Sequence, residues 1–94
     1  MPKYIIERDI PGIGSFENHE YQAAAEKSNT VISEMTAENK KIQWQHSHVT
    51  SDKTFCVYIV EDEGLIYEHS ERSGFPVTRI VQAVKLIDPT TAEG

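Results

Sequence analysis

Ninety-four residues with fifteen acidic and nine basic side chains, a net charge of −6, describe one small acidic domain, since domains commonly run to about 100–200 residues. That balance speaks against nucleic acid and against anionic membrane surfaces, because phosphate contacts need clustered Lys and Arg to displace counterions. At 38% apolar and 26% charged the chain is too apolar for disorder, and its single cysteine, Cys56, excludes an intrachain disulfide or a Cys-rich zinc site.

The first residues hold no apolar stretch of signal-peptide length. The longest apolar run, Phe55 to Val60, is far short of the roughly 20 residues that span a bilayer. A soluble, cytoplasmic protein is the default expectation, as one domain over 1–94 with an ordered core from about 3 to 89.

Tyr4-Ile5-Ile6-Glu7-Arg8 is β-branched and compact and predicts a first strand, ended by Pro11, Gly12 and Gly14. A helix follows, with Ser15 or Asn18 as N-cap and Glu17 and Glu20 near its positive end. Tyr21, Ala24, Ala25, Ser28, Val31, Ile32 and Met35 recur at helical spacing and define its buried stripe, and the helix is expected to fray near Asn39. Ile42 to Val49 and Thr54 to Val60 predict two strands joined by a tight turn at 50–53. Glu61-Asp62-Glu63 places negative charge where a second helix starts, Leu65, Ile66, His69, Ser70 and Ser73 carry its stripe, and Gly74 with Pro76 stops it. Arg79 to Ile87 predicts the last strand, and 90–94 a loose tail.

The order βαββαβ predicts an α+β, ferredoxin-like fold: a four-stranded antiparallel sheet with both helices on one face. The other face is left uncovered, so a homodimer of the α/β-barrel kind is expected.

The densest run of ligand-type side chains is Trp44-Gln45-His46-Ser47-His48. Strict alternation puts Trp44, His46 and His48 on one face, with about 6.6 Å between alternate Cα atoms. Two imidazoles so placed can converge on one ion, and imidazole suits Ni, Cu, Zn and Fe. Further donors must come from other strands, a helix, water or a second subunit. A three-residue turn, Ser51 to Lys53, sets His48 across from Cys56 and His46 across from Tyr58, leaving Phe55, Val57 and Ile59 as the helix-facing set. A two-residue turn moves the histidines beside Phe55 and Val57. The first register is preferred, because two unpartnered imidazoles among buried aliphatics are costly.

Plainer readings stand beside these. Trp44 and Tyr58 suit a dimer seam, Cys56 a small buried hydrophobe, His69 a satisfied helix histidine, and His19 a solvated one. A Cys56–His48 pair is the one arrangement that would activate a nucleophile. The chain has no glycine-rich phosphate loop, no Gly-x-Ser-x-Gly and no His-Glu-x-x-His.

Taken together, Glu7-Arg8, the Ala23-Ala24-Ala25 to Val31 helix, Trp44, Ser47 and Val49, Asp52 to Tyr58, Glu68-His69, Gly74 to Val77 and Arg79-Ile80 resemble a family of small ferredoxin-like domains. Its characterised member is a nickel-binding, nickel-responsive protein. The resemblance spans about Tyr4 to Pro89. It implies a non-catalytic homodimer with its sheets facing each other and a divalent metal ion, nickel, near the interface. Matching positions are Glu7, Trp44, His46, Cys56, Tyr58 and His69. His48 is a departure, standing where the family pattern has tyrosine. Glu7, His46, His48 and His69 are then the expected metal ligands or near-ligands, with Trp44, Cys56 and Tyr58 in a pocket or interface.

Two other readings have different consequences. A cofactor-free oxygenase or isomerase would need a ligand-sized pocket between sheet and helices with a histidine pointing inward. A homodimeric interaction module would bind no ligand.

Overall fold

The computed structural model describes residues 1–94. Its strands are β1 (Lys3–Asp9), β2 (Ile42–Val49), β3 (Lys53–Val60) and β4 (Arg79–Ala83), and its helices are α1 (Asn18–Ala37) and α2 (Gly64–Ser73). The four strands pair antiparallel in the order β2-β3-β1-β4, the ferredoxin-like arrangement expected from the element order.

Both helices lie on the face that carries Ile6, Ile42, Cys56, Tyr58 and Val60, which form a core with Val31 and Met35 of α1 and Ile66 of α2. Each fully buried aliphatic contributes about 1.5–3 kcal/mol. The α1 stripe is as its spacing predicts, with Ser28, Val31 and Met35 buried, although the N-cap is Glu17. The Glu17 amide donates to Glu20 Oε1 at 3.0 Å, which satisfies one free donor of the first turn. Gly74 ends α2 at φ 82°, where its amide donates to the Ser70 carbonyl at 2.8 Å.

Several sequence expectations change. Thr50 N bonds Lys53 O at 2.8 Å and Val49 faces Thr54, so the β2–β3 turn has two residues, Ser51 and Asp52. The helix-facing set of β3 is Thr54, Cys56, Tyr58 and Val60, all buried, while Phe55, Val57 and Ile59 are half-buried on the open face. As the inner neighbour of both β2 and β1, this strand is apolar on both sides, so its hydrophobicity did not distinguish them. Finally, β4 stops at Ala83 rather than Ile87. Ala83 pairs with Lys3, the first residue of β1, and beyond it no partner strand remains. Val84, Leu86 and Ile87 are consequently exposed. Pro89–Glu93 forms a short 3-10 turn, with Thr90 N donating to Asp88 Oδ1 at 2.9 Å.

A bulge between Trp44 and His46 resets the alternation of β2. Trp44 pairs with Tyr58 and Ser47 with Cys56 on the covered face, whereas His46 pairs with Val57 and His48 with Phe55 on the open one. Trp44 therefore does not share a face with the histidines. Its indole Nε1 donates to Ser47 Oγ at 2.9 Å, across the bulge.

The loop from Ile10 to Phe16 is tied to the β2–β3 turn. Ile10 N bonds Asp52 O, Gly12 N bonds Asp52 Oδ1 and Gly14 N bonds Ser51 O, each at 2.9 Å. A Cβ at Gly14 would meet Ser51 Cα at 2.7 Å, so this approach needs glycine.

Candidate functional site

Two chemically distinct places emerge, one on each face of the sheet. On the open face, neighbouring strands align residues in rows: His46, Val57, Ile5 and Val81 in one, His48, Phe55, Glu7 and Arg79 in the next. The rings of His46 and His48 have centroids 5.3 Å apart at 78° and are solvent-exposed. They are the one close pair among the four expected ligands.

Glu7 shares their face, but β3 lies between, so it is two strand spacings, roughly 9–10 Å, from His48. It is held instead by Lys53, whose Nζ lies 2.8 Å from Glu7 Oε2 and also bonds Asp9 Oδ1. These carboxylates, Asp9 first and then Glu7, raise the Lys53 pKa and keep it cationic. His69 is fully buried beneath the opposite face. No group of three or more His, Cys, Asp or Glu side chains is placed to hold one ion within a single chain. Cys56 and His48 also lie on opposite faces, so the histidine cannot activate that thiol.

On the covered face, a cavity of about 440 Å³ lies between α1, the sheet and the segment Gly74–Pro76. Trp44, Cys56 and Tyr58 all line it. It exists because α1 presents the small Ala24 and Ala25 above Trp44 and Cys56, and Phe16, Tyr21 and Phe75 complete its apolar wall.

One charged side chain reaches this cavity: Arg8, at 2% exposure. Its Nη1 donates to Ser70 Oγ at 2.8 Å and to the carbonyls of Pro76 at 2.9 Å and Phe75 at 3.3 Å. Its Nη2 reaches Tyr58 Oη at 3.4 Å, and the guanidinium carbon lies 5.9 Å from the Tyr58 ring centroid. No carboxylate pairs with it. Glu7 and Asp9, its neighbours in sequence, alternate to the other face and are taken by Lys53.

Behind Tyr58 stands His69, its ring 5.4 Å away at 70°, with Nε2 3.1 Å from Ser28 Oγ and Nδ1 unpartnered. Burial first, then the nearby Arg8 charge, pushes its pKa down to about 4, so the imidazole is neutral. Burial likewise raises the Tyr58 pKa, against the opposing pull of Arg8. The cavity wall carries no histidine, because Tyr58 and Ser28 screen His69 from it. Of the two features that would favour an enzyme of the oxygenase or isomerase kind, the ligand-sized apolar pocket is present and the inward-pointing histidine is not.

Arg8 was the residue that sequence reading overlooked. The signal was its phase: Tyr4, Ile6 and Arg8 alternate together, which puts the arginine on the buried side of β1.

Comparison with known families matches residues 4–83 to the family described as nickel responsive protein, SCO4226-like. Among solved structures, the crystal structure of SCO4226 from Streptomyces coelicolor A3(2) is similar, with a TM-score of 0.70 at 12% identity. The match covers 92% of this chain and 99% of that one. At that identity the likeness speaks for the fold alone. A search of curated proteins found none that matches. No helix is long and apolar enough to cross a membrane.

Proposed function

The chain belongs to the SCO4226-like family of nickel responsive proteins, and on that footing we propose that it binds a divalent transition-metal ion, nickel by preference, through His46 and His48. The observation that carries this reading is the pair of exposed imidazoles 5.3 Å apart on the uncovered face. Imidazole nitrogen is a donor of borderline softness, which suits nickel. The donor set of one chain fits half a site: two nitrogens, with Glu7 occupied by Lys53.

A second copy of the chain supplies the other half. The open face has an apolar centre of Phe55, Val57 and Ile59, with Ile5 and Val81 still 38% and 43% exposed. Such a surface is well suited to self-association. A two-fold axis near the β2 edge would bring four imidazoles together, and the metal would then clamp the dimer.

The test is calorimetric titration of untagged protein with Ni²⁺, together with sedimentation. Expected are one ion per two chains and a His46→Ala, His48→Ala double variant at least 100-fold weaker in affinity. Binding should also weaken in acid, because a metal ion and a proton compete for the same ring nitrogen. Wild-type affinity in the double variant would reject these ligands, and full binding by a monomer would reject the shared site.

A further inference from the structure

We propose that the cavity beneath the helices is a binding site for a small aromatic or branched aliphatic monocarboxylate, its carboxylate seated on Arg8. The inference is separate from metal binding, since the cavity and the histidine pair lie on opposite faces of the sheet.

The argument begins with charge. A guanidinium 2% exposed and without an acidic partner is an unusual resident of a protein interior, where buried charges are paired. Nη1 is occupied by three acceptors, all neutral. Nη2 has one contact, the 3.4 Å approach to Tyr58 Oη, and so keeps donor capacity for an incoming anion. Ser70 and the carbonyls of Phe75 and Pro76 hold the group in place without neutralising it.

The walls define the remainder of the ligand. Arg8 is the one charged residue lining the cavity, so a single anionic group is matched and a second would be stranded. Trp44, Phe16 and Phe75 offer aromatic faces, and Ala24 and Ala25 leave the space between them open. At about 440 Å³ the cavity falls at the lower end of small-molecule sites, roughly 300–1,000 Å³. A compact apolar body with one carboxylate satisfies both the charge and the walls.

Trp44 is the chain's single tryptophan and lines the site, so its fluorescence reports occupancy directly. The probes are benzoate, phenylacetate and 3-phenylpropionate, each titrated against its primary amide in the presence of EDTA, which keeps metal binding out of the result. At least one acid is expected to change Trp44 emission saturably, with its amide at least tenfold weaker. Ala24→Phe, which fills the cavity while leaving Arg8 intact, should abolish the response. Arg8→Met should lower the acid to the affinity of the amide; if that variant does not fold, the acid–amide contrast on the wild-type protein decides. Amides that bind as tightly as acids, an unchanged response in Ala24→Phe, or no saturable response to any of the three acids would overturn the proposal.

Discussion

The two faces of the sheet are built from the same four strands by alternation, yet they handle polar groups in opposite ways. The covered face buries Arg8, Tyr58, Ser28, His69 and Ser70 and ties them to one another, leaving a positive charge and one imidazole nitrogen as its unanswered elements. The open face keeps its polar groups at the margins, with His46 and His48 at one edge and Lys53, Glu7 and Asp9 at one end, around an apolar centre. A buried polar group must find its partners within the chain or from a ligand that enters. An exposed one is solvated meanwhile and can wait for a second molecule. On the two proposals above, the covered face takes a small guest, and the open face an ion and a copy of the chain.

The contrast makes Arg8 the most consequential polar residue of the fold. Removing its guanidinium leaves the Phe75 and Pro76 carbonyls and Ser70 without their donor, and the link between α2 and β4 loses its anchor. Arg8→Met is expected to lower unfolding free energy by about 3 kcal/mol in urea titration. Relief from burying an unpaired charge works in the other direction. A stability equal to wild type would mean that this relief offsets the lost bonds in full.

His69 yields a pH signature of the same covered face. Its pKa falls from 6.5 to about 4 on folding, so between those values the unfolded chain binds more protons than the native one. Its contribution is complete above pH 6.5 and is lost progressively as pH drops towards 4. The loss is on the order of 3 kcal/mol. A His69→Leu variant should be flatter than wild type across that window in parallel denaturation curves. Identical slopes would show that the imidazole is hydrated in the native state.

Most of this architecture was legible in the sequence, for physical reasons that also explain what was not. Helical spacing from Tyr21 to Met35 and the Gly74–Pro76 stop depend on local chemistry, and both were readable. Which side of β3 the helices cover depends on tertiary packing, and a strand apolar on both sides conceals it. The bulge in β2 did leave a trace. Ile42 and Trp44 are apolar at even positions and Val49 at an odd one, so the apolar phase slips between 44 and 49, as it does in the structure. The preferred three-residue turn therefore failed, yet the histidines still reach the open face, because the covered face is the opposite of the one assumed. Arg8 was hidden by its flanking acids, Glu7 and Asp9, which make the segment look solvated when only alternate residues are.

The open face should respond far less to loss of a charge. Lys53 bridges Glu7 and Asp9 at a partly solvated position, where ion pairs are worth little and salt screens them. Lys53→Met is expected to lower stability only slightly at low ionic strength, with the difference from wild type shrinking as salt is added. The variant also leaves Glu7 and Asp9 facing each other without a cation, so a small residual loss should persist from their repulsion. A loss as large as that of Arg8→Met, insensitive to salt, would mean that this end of the open face is buried in solution. That in turn is what a second copy of the chain covering it would produce, and sedimentation of the same variant would separate the two causes by showing whether the dimer fraction falls with stability.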